Sequence, residues 1–328
     1  MYNPPLMLRY FMAVGVTLLA VVALNAQSAT SQAVHPTSTP AQSELLWQKL
    51  DATVQQVNRE LNGTMGVGIL DLTDGRTLLL NPDAVFVQAS CIKVTVLAEL
   101  YLQDQQSLQG ASGKAKLTDL YTVNADDLVA DSSIMGGLTP GVTRVTNYDL
   151  ATFMVAVSDN SATNVLIDHV GMQNVNTMLD SLGLTHVRLQ RKMMDVKAAQ
   201  AGRENLSTPR DMMTFFADLY RGKLLDKSHT DQYFKQLATT KASDIPRFIP
   251  EGVMIANKPG ELAGVRNDIG IVFAEKRPFV IVVMTAYLQR EKDGNDAIAK
   301  IAGAAYEYFD RVGRSSEYGR IVSERNSH

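Results

Sequence analysis

Strand-like sequence occurs only toward the two ends of this chain, and that placement constrains the fold more than any other feature. Met65 to Leu72 and Arg76 to Leu80 are short aliphatic runs flanking an Asp74-Gly75 turn signal, the pattern of a hairpin. Comparable runs return only after Pro250, at Val253 to Asn257, Ile269 to Ala274 and Phe279 to Leu288. Between them, from Ser90 to about Thr240, the pattern is helical and is broken by Gly, Pro and Asn/Asp. A lone hairpin is marginal in water, so the early strands must pair with the late ones. The expected class is therefore α+β: an antiparallel five-stranded sheet built from both ends of the chain, flanked by helices and set beside an all-helical lobe. Leu46, Leu50, Val54, Val57 and Leu61 predict a first helix over Ser43 to Asn62, with Ser43 as its cap, and a last helix is expected from Asp296 to Phe309. The cleft between sheet and helical lobe is the natural place for a site.

The boundaries follow from composition. Arg9 precedes an apolar run from Phe11 to Leu24 that is short for a membrane span, so 1–26 reads as a signal peptide. An exported protein, periplasmic or secreted, is expected, touching the membrane only through that segment if it stays uncleaved. Residues 27–42 form an uncharged Ser/Thr/Pro/Ala/Gln leader, 43–312 the catalytic domain and 313–328 a polar tail. Cys91 is the only cysteine, so no internal disulfide forms and the core must hold the fold. A net charge of −3 without basic runs argues against nucleic acid as a partner. His35, His169, His186, His229 and His328 show neither a Gly-x-Ser-x-Gly setting nor metal-ligand spacing, so no triad, metal or cofactor is expected, and most of them read as surface residues. Met193-Met194 and Met212-Met213 read as core filling.

Three short motifs carry chemistry. Ser90-Cys91-Ile92-Lys93 places an amine one helical turn from a hydroxyl on the same face. A serine is a weak nucleophile until a base takes its proton, and a lysine serves once burial or a nearby positive charge lowers its pKa. Val94, Val96, Leu97 and Leu100 give this helix an apolar flank that draws Lys93 inward. Ser158-Asp159-Asn160 stands at a junction between two helical runs, where these residues favour caps but can also relay a proton and hold an amide. Lys258-Pro259-Gly260 ends a strand run, where a lysine can bind a carboxylate and backbone N–H groups an oxyanion. Each motif alone is weak, and together their order and spacing are informative.

That combination resembles class A β-lactamases and the wider penicillin-binding serine hydrolases, over about Ser43 to Val312. Flanking sequence resembles them too, at Asn147 to Asn164, Arg191 to Met212 and Lys258 to Val272. The resemblance implies a β-lactamase/transpeptidase-like fold in which Ser90 is acylated and Lys93 is its base. It implies that Ser158 passes a proton to the leaving nitrogen, Asn160 holds the substrate amide, and Lys258, with Gly260 beside it, faces the substrate carboxylate. The oxyanion hole it implies is formed by the N–H groups of Ser90 and Glu261.

Two departures stand out. Pro259 occupies the place of a Thr or Ser that helps bind the carboxylate, and Arg266 is the candidate replacement charge. In the family a Glu two residues after an Arg activates the deacylating water, whereas Arg191 is followed by Lys192 and Met193. Asp195 and Glu204 are the only acids further along that loop, and so the candidate bases. The expectation is acylation by a small-molecule β-lactam, with slow hydrolysis unless one of these acids serves. The other readings are a D-alanyl peptidase or esterase with the same nucleophile, and a β-lactam sensor that stays acylated.

Overall fold

The computed structural model describes residues 42–321. The expected signal segment, the leader up to residue 41 and the end of the tail lie outside the described residues. In chain order come α1 (Gln42–Glu60), β1 (Thr64–Asp71), β2 (Thr77–Leu80), β3 (Phe86–Val87), a 3-10 turn (Ala89–Ile92) and α2 (Lys93–Leu108). The middle of the chain adds β4 (Leu120–Thr122), β5 (Arg144–Thr146), α3 (Asn147–Ala156), α4 (Asn160–Val170), α5 (Met172–Ser181), α6 (Val196–Gln200), β6 (Leu206–Ser207), α7 (Pro209–Tyr220) and α8 (Lys227–Leu237). It ends with β7 (Ile255–Leu262), β8 (Val265–Val272), β9 (Phe279–Ala286) and α9 (Glu291–Arg314).

The five long strands form one antiparallel sheet in the order β2-β1-β9-β8-β7. The join between the two chain ends is β1 on β9, with Thr64 opposite Ala286 and Asp71 opposite Phe279. Side chains alternate across the sheet. Met65, Val67 and Ile69 with Phe279, Ile281 and Val283 face α1 and α9, while Val280, Val282 and Met284 face the helical lobe. Both faces are covered, which is why the strands read as continuous apolar runs rather than alternating ones. On the outer layer Trp47 meets Tyr308 edge-on at 5.1 Å and Phe279 stacks on Phe309 at 4.2 Å. Each such buried aromatic contributes on the order of 1.5–3 kcal/mol by area alone. On the opposite face glycine sets the layer spacing: a Cβ on Gly66 would lie 2.6 Å from Pro209 Cγ, so α7 starts directly on β1.

Several boundaries differ from expectation for physical reasons. Ser43 lies inside the first turn of α1, which starts at Gln42, and does not cap it. Helix α4 begins at Asn160, inside the Ser158-Asp159-Asn160 motif, because Asp159 caps it through Ala162 N. Strand β7 runs straight through Lys258-Pro259-Gly260 and the chain turns only at Gly264, which has φ +72°. Pro259 is tolerated because β7 is an edge strand, where a missing N–H breaks no ladder. The two-stranded ladders β3–β6 and β4–β5 are too short to register as a sequence pattern.

Candidate active site

The candidate nucleophile Ser90 sits on the 3-10 turn that leads into α2. Ala89, just before it, has φ +51°, a left-handed conformation that a non-glycine residue adopts only under surrounding constraint. The constraint is the packing of this turn on β7 and β8. Asn267 Nδ2 donates to Val87 O at 2.9 Å, and Cys91 Sγ donates to Lys258 O at 3.1 Å. A Cβ on Gly260 would come within 2.6 Å of Gln88 O, so only glycine lets the edge strand lie this close to the turn.

Lys93 is almost fully buried, 1 % exposed. Its Nζ contacts Ser158 O at 2.6 Å, Asn160 Oδ1 at 2.8 Å and Ser158 Oγ at 3.0 Å. Burial holds its pKa well below the ordinary lysine value, and the positive charge of Lys258 pushes it in the same direction. No hydrogen bond among the described residues joins Lys93 Nζ to Ser90 Oγ, the contact the spacing suggests; the amine has turned to Ser158 instead. From the other side Lys258 Nζ, also 1 % exposed, lies 3.1 Å from the same Ser158 Oγ and 3.0 Å from Pro259 O. Burial brings Lys258 down to about 8, against smaller upward pulls from Cys91, Asp268 and Glu261. Ser158 Oγ thus bridges two lysine amines. A neutral Lys93 satisfies this set: two N–H donate to Ser158 O and Asn160 Oδ1, the lone pair accepts from the Ser158 hydroxyl, and a charged Lys258 donates to that hydroxyl. Ser158 is itself held at φ +58°.

Two cavities of about 330 and 280 Å³ flank Ser90 and share Ser90, Asp131, Asn160 and Glu261 in their walls. Ser158, Lys258 and Pro259 line the first, while Asp195, Glu204 and Met193 line the second. Sequence positions up to 171 residues apart, Ser90 and Glu261, therefore meet in one cleft. Both acids in the loop are already committed. Glu204 Oε2 accepts from Arg191 Nε at 2.9 Å and lies 2.8 Å from Arg191 Nη2, and Asp195 Oδ1 caps α6 through Ala198 N at 2.9 Å. The backbone of Met193 is clamped by Asn164, whose amide contacts Met193 N at 2.8 Å and Met193 O at 3.1 Å. Arg266 lines neither cavity, although its Nη2 lies 3.8 Å from Oε2 of Glu261, which lines both. Its guanidinium donates to Leu262 O and Val265 O and pairs with Glu291, because β8 directs it toward the start of α9. Asn160 also donates, through Nδ2, to Ala130 O at 3.3 Å.

Several residues of this site escaped the motifs. Asp131 and Lys241 line the cleft from loops whose sequence carries no periodic signal. Asn205, 2 % exposed, closes the neck of the loop by accepting from Gln190 N and Arg191 N and donating to Arg191 O. Asp268 is buried behind Lys258, and burial raises its pKa to about 6 although Asn257 Nδ2, Ile245 N and Asp244 N all donate to it. An isolated Asn or Asp in a sequence does not announce such roles. His229, one of five histidines of which most are expected at the surface, is buried between Asp226 and Asp104, where its ring completes a polar contact among helices.

A Ser-Lys-Ser cluster in a cleft between an antiparallel sheet and a helical lobe defines a serine hydrolase of the β-lactamase/transpeptidase-like kind. The comparisons agree: the chain belongs to the β-lactamase enzyme family, whose model matches residues 46–309. Beta-lactamase CTX-M-97 of Escherichia coli is 26% identical over 300 residues, 89% of this chain and 96% of that protein. The crystal structure of a β-lactamase from Sphaerobacter thermophilus superposes with a TM-score of 0.71 at 30% identity, covering 80% of this chain and 97% of that one. An ancestral class A β-lactamase superposes at 0.72 with 25% identity, covering 79% of this chain and 100% of that one.

Proposed function

We propose that the chain opens the amide of a β-lactam through an acyl-serine at Ser90 and releases the product slowly. The observation that carries this reading is Ser158 Oγ, held 3.0 Å from one buried amine and 3.1 Å from another in the wall of the cleft that contains Ser90. Ser90 Oγ attacks the carbonyl carbon while its proton passes to the Ser158 hydroxyl, whose own proton moves to neutral Lys93. The N–H groups of Ser90 and Glu261 receive the oxyanion, and Lys258 and Asn160 orient the substrate. As the tetrahedral species collapses, the C–N bond breaks and Lys93 returns a proton through Ser158 to the leaving nitrogen. Lys93 is thus the base, acting by way of Ser158.

Slow release follows from the loop. Met193 stands where an acid is needed beside the ester, Glu204 is held by Arg191, and Asp195 is spent on a helix cap. Export, through removal of 1–26, is part of the same proposal, because a β-lactam is met outside the cytoplasm. A chromogenic cephalosporin tests the reading: an initial burst equal to the enzyme, followed by slow turnover, is expected. Release of D-alanine from a model peptide, with no burst on the cephalosporin, would instead make the chain a D-alanyl peptidase. A stable adduct with no turnover at all would make it a sensor.

A further inference from the structure

We infer that Lys241 is the second cation of a carboxylate subsite in this cleft and selects substrates bearing a carboxylate close to the scissile amide nitrogen. This rests on the acylation reading above and adds to it a residue that no motif contains.

The geometry points to an anion. Lys241 follows α8 and lines the same cavity as Ser90, Ser158, Lys258 and Pro259. It is half-buried, and its one hydrogen bond among the described residues is to Leu237 O at 2.7 Å. An ammonium has three donors, so two N–H groups remain for a ligand. Lys258, its neighbour across the cavity, is likewise paired only with neutral oxygens, those of Ser158 and Pro259. No ion pair among the described residues engages either amine. Two unpaired cations facing one desolvated space repel each other, and each holds its proton poorly there: burial lowers Lys241 to about 8, with the charge of Lys258 acting the same way and Asp268 opposing. An anion placed between them removes the repulsion. The acids in the cavity wall, Asp131 and Glu261, are both exposed and lie on the Ser90 side shared with the second cavity. Pro259 gives β7 no hydroxyl to assist Lys258, and Arg266, which lines neither cavity, is engaged by Glu291 and lies 3.8 Å from Glu261. Lys241 is the cation left in the cavity to do what neither of those residues does. A β-lactam acid and a peptide ending in D-alanine present the same chemistry here, a carboxylate one carbon from the amide nitrogen.

The test compares benzylpenicillin with its methyl ester, by the second-order rate of adduct formation at pH 7, in the parent protein and in Lys241→Met and Lys241→Arg. The parent should prefer the acid. Lys241→Met should lose about 10- to 100-fold on the acid, the range for a hydrogen bond to a charged group, and keep its rate on the ester, which also shows that it is folded. Lys241→Arg should recover most of the loss. Equal rates for acid and ester in the parent, or a Lys241→Met variant slowed alike on both, overturn the role of Lys241 and leave acylation standing. No adduct with either compound in the parent overturns the acylation reading, and this assignment with it.

Discussion

At the residue scale the site turns on where one proton can reside. Lys93 is nearly sealed from solvent and lies among three oxygens, one of which, Ser158 Oγ, also meets Lys258. Ser158→Ala removes the hydroxyl that links the two amines, and acylation should slow by about 10²- to 10⁴-fold, the usual span for a positioned acid-base group. Stopped-flow acylation measures it, and an unchanged rate would mean that Lys93 reaches Ser90 without help. On the other side of the nucleophile, Met193→Glu puts a carboxylate into the cavity wall beside Ser90. Hydrolysis of the acyl-enzyme should then quicken by about 10²-fold or more while acylation changes little, as read by decay of the mass adduct. The motifs made Ser90, Lys93, Ser158 and Lys258 legible because each couples a residue type to a fixed spacing. They could not show that Lys93 turns to Ser158, which depends on a backbone held at φ +58° and on burial that local sequence does not encode. Arg266 was illegible for a related reason: nearness in sequence to Lys258 says nothing of which face of β8 its side chain leaves from, and its guanidinium meets both Glu291 and Glu261.

At the scale of elements, close approach fixes the chemistry. The turn carrying Ser90 rests on β7 through Gly260, where an added Cβ would meet Gln88 O at 2.6 Å and Cys91 Sγ at 2.9 Å. Gly260→Ala should therefore cost about 1–3 kcal/mol and push the turn out of line, reducing acylation more than thermal stability suggests. A melting curve beside the acylation rate separates the two effects. The loop between residues 188 and 206 is closed by Asn205, so Asn205→Ala strands two N–H groups and should cost about 2–4 kcal/mol. Cleavage within the loop by trypsin should speed up in parallel. The five long strands are legible in the sequence as short continuous apolar runs, and both outer helices through their strong apolar periodicity. The loop neck is not, because three hydrogen bonds from one asparagine leave no periodic trace.

At the scale of the whole molecule, both chain ends meet in β1 and β9, and the cleft sits where that sheet's edge faces the helical lobe. Holding two lysines in this interior links stability to pH. Lys258 falls from the ordinary 10.5 to about 8, so between those values the unfolded chain binds the proton and the folded one does not. Stability from this group therefore rises as pH climbs from about 8 to 10.5. Relative to Lys258→Met, the melting temperature of the parent should improve over that interval, and a difference that stays flat would place the amine in solvent. The central claim, that Ser90 becomes an ester, has a more direct test. Intact-mass spectrometry over time after addition of benzylpenicillin should show one adduct per chain, mapped to the peptide containing Ser90, decaying slowly and absent from Ser90→Ala. An adduct that persists in Ser90→Ala, or none in the parent protein, would contradict it.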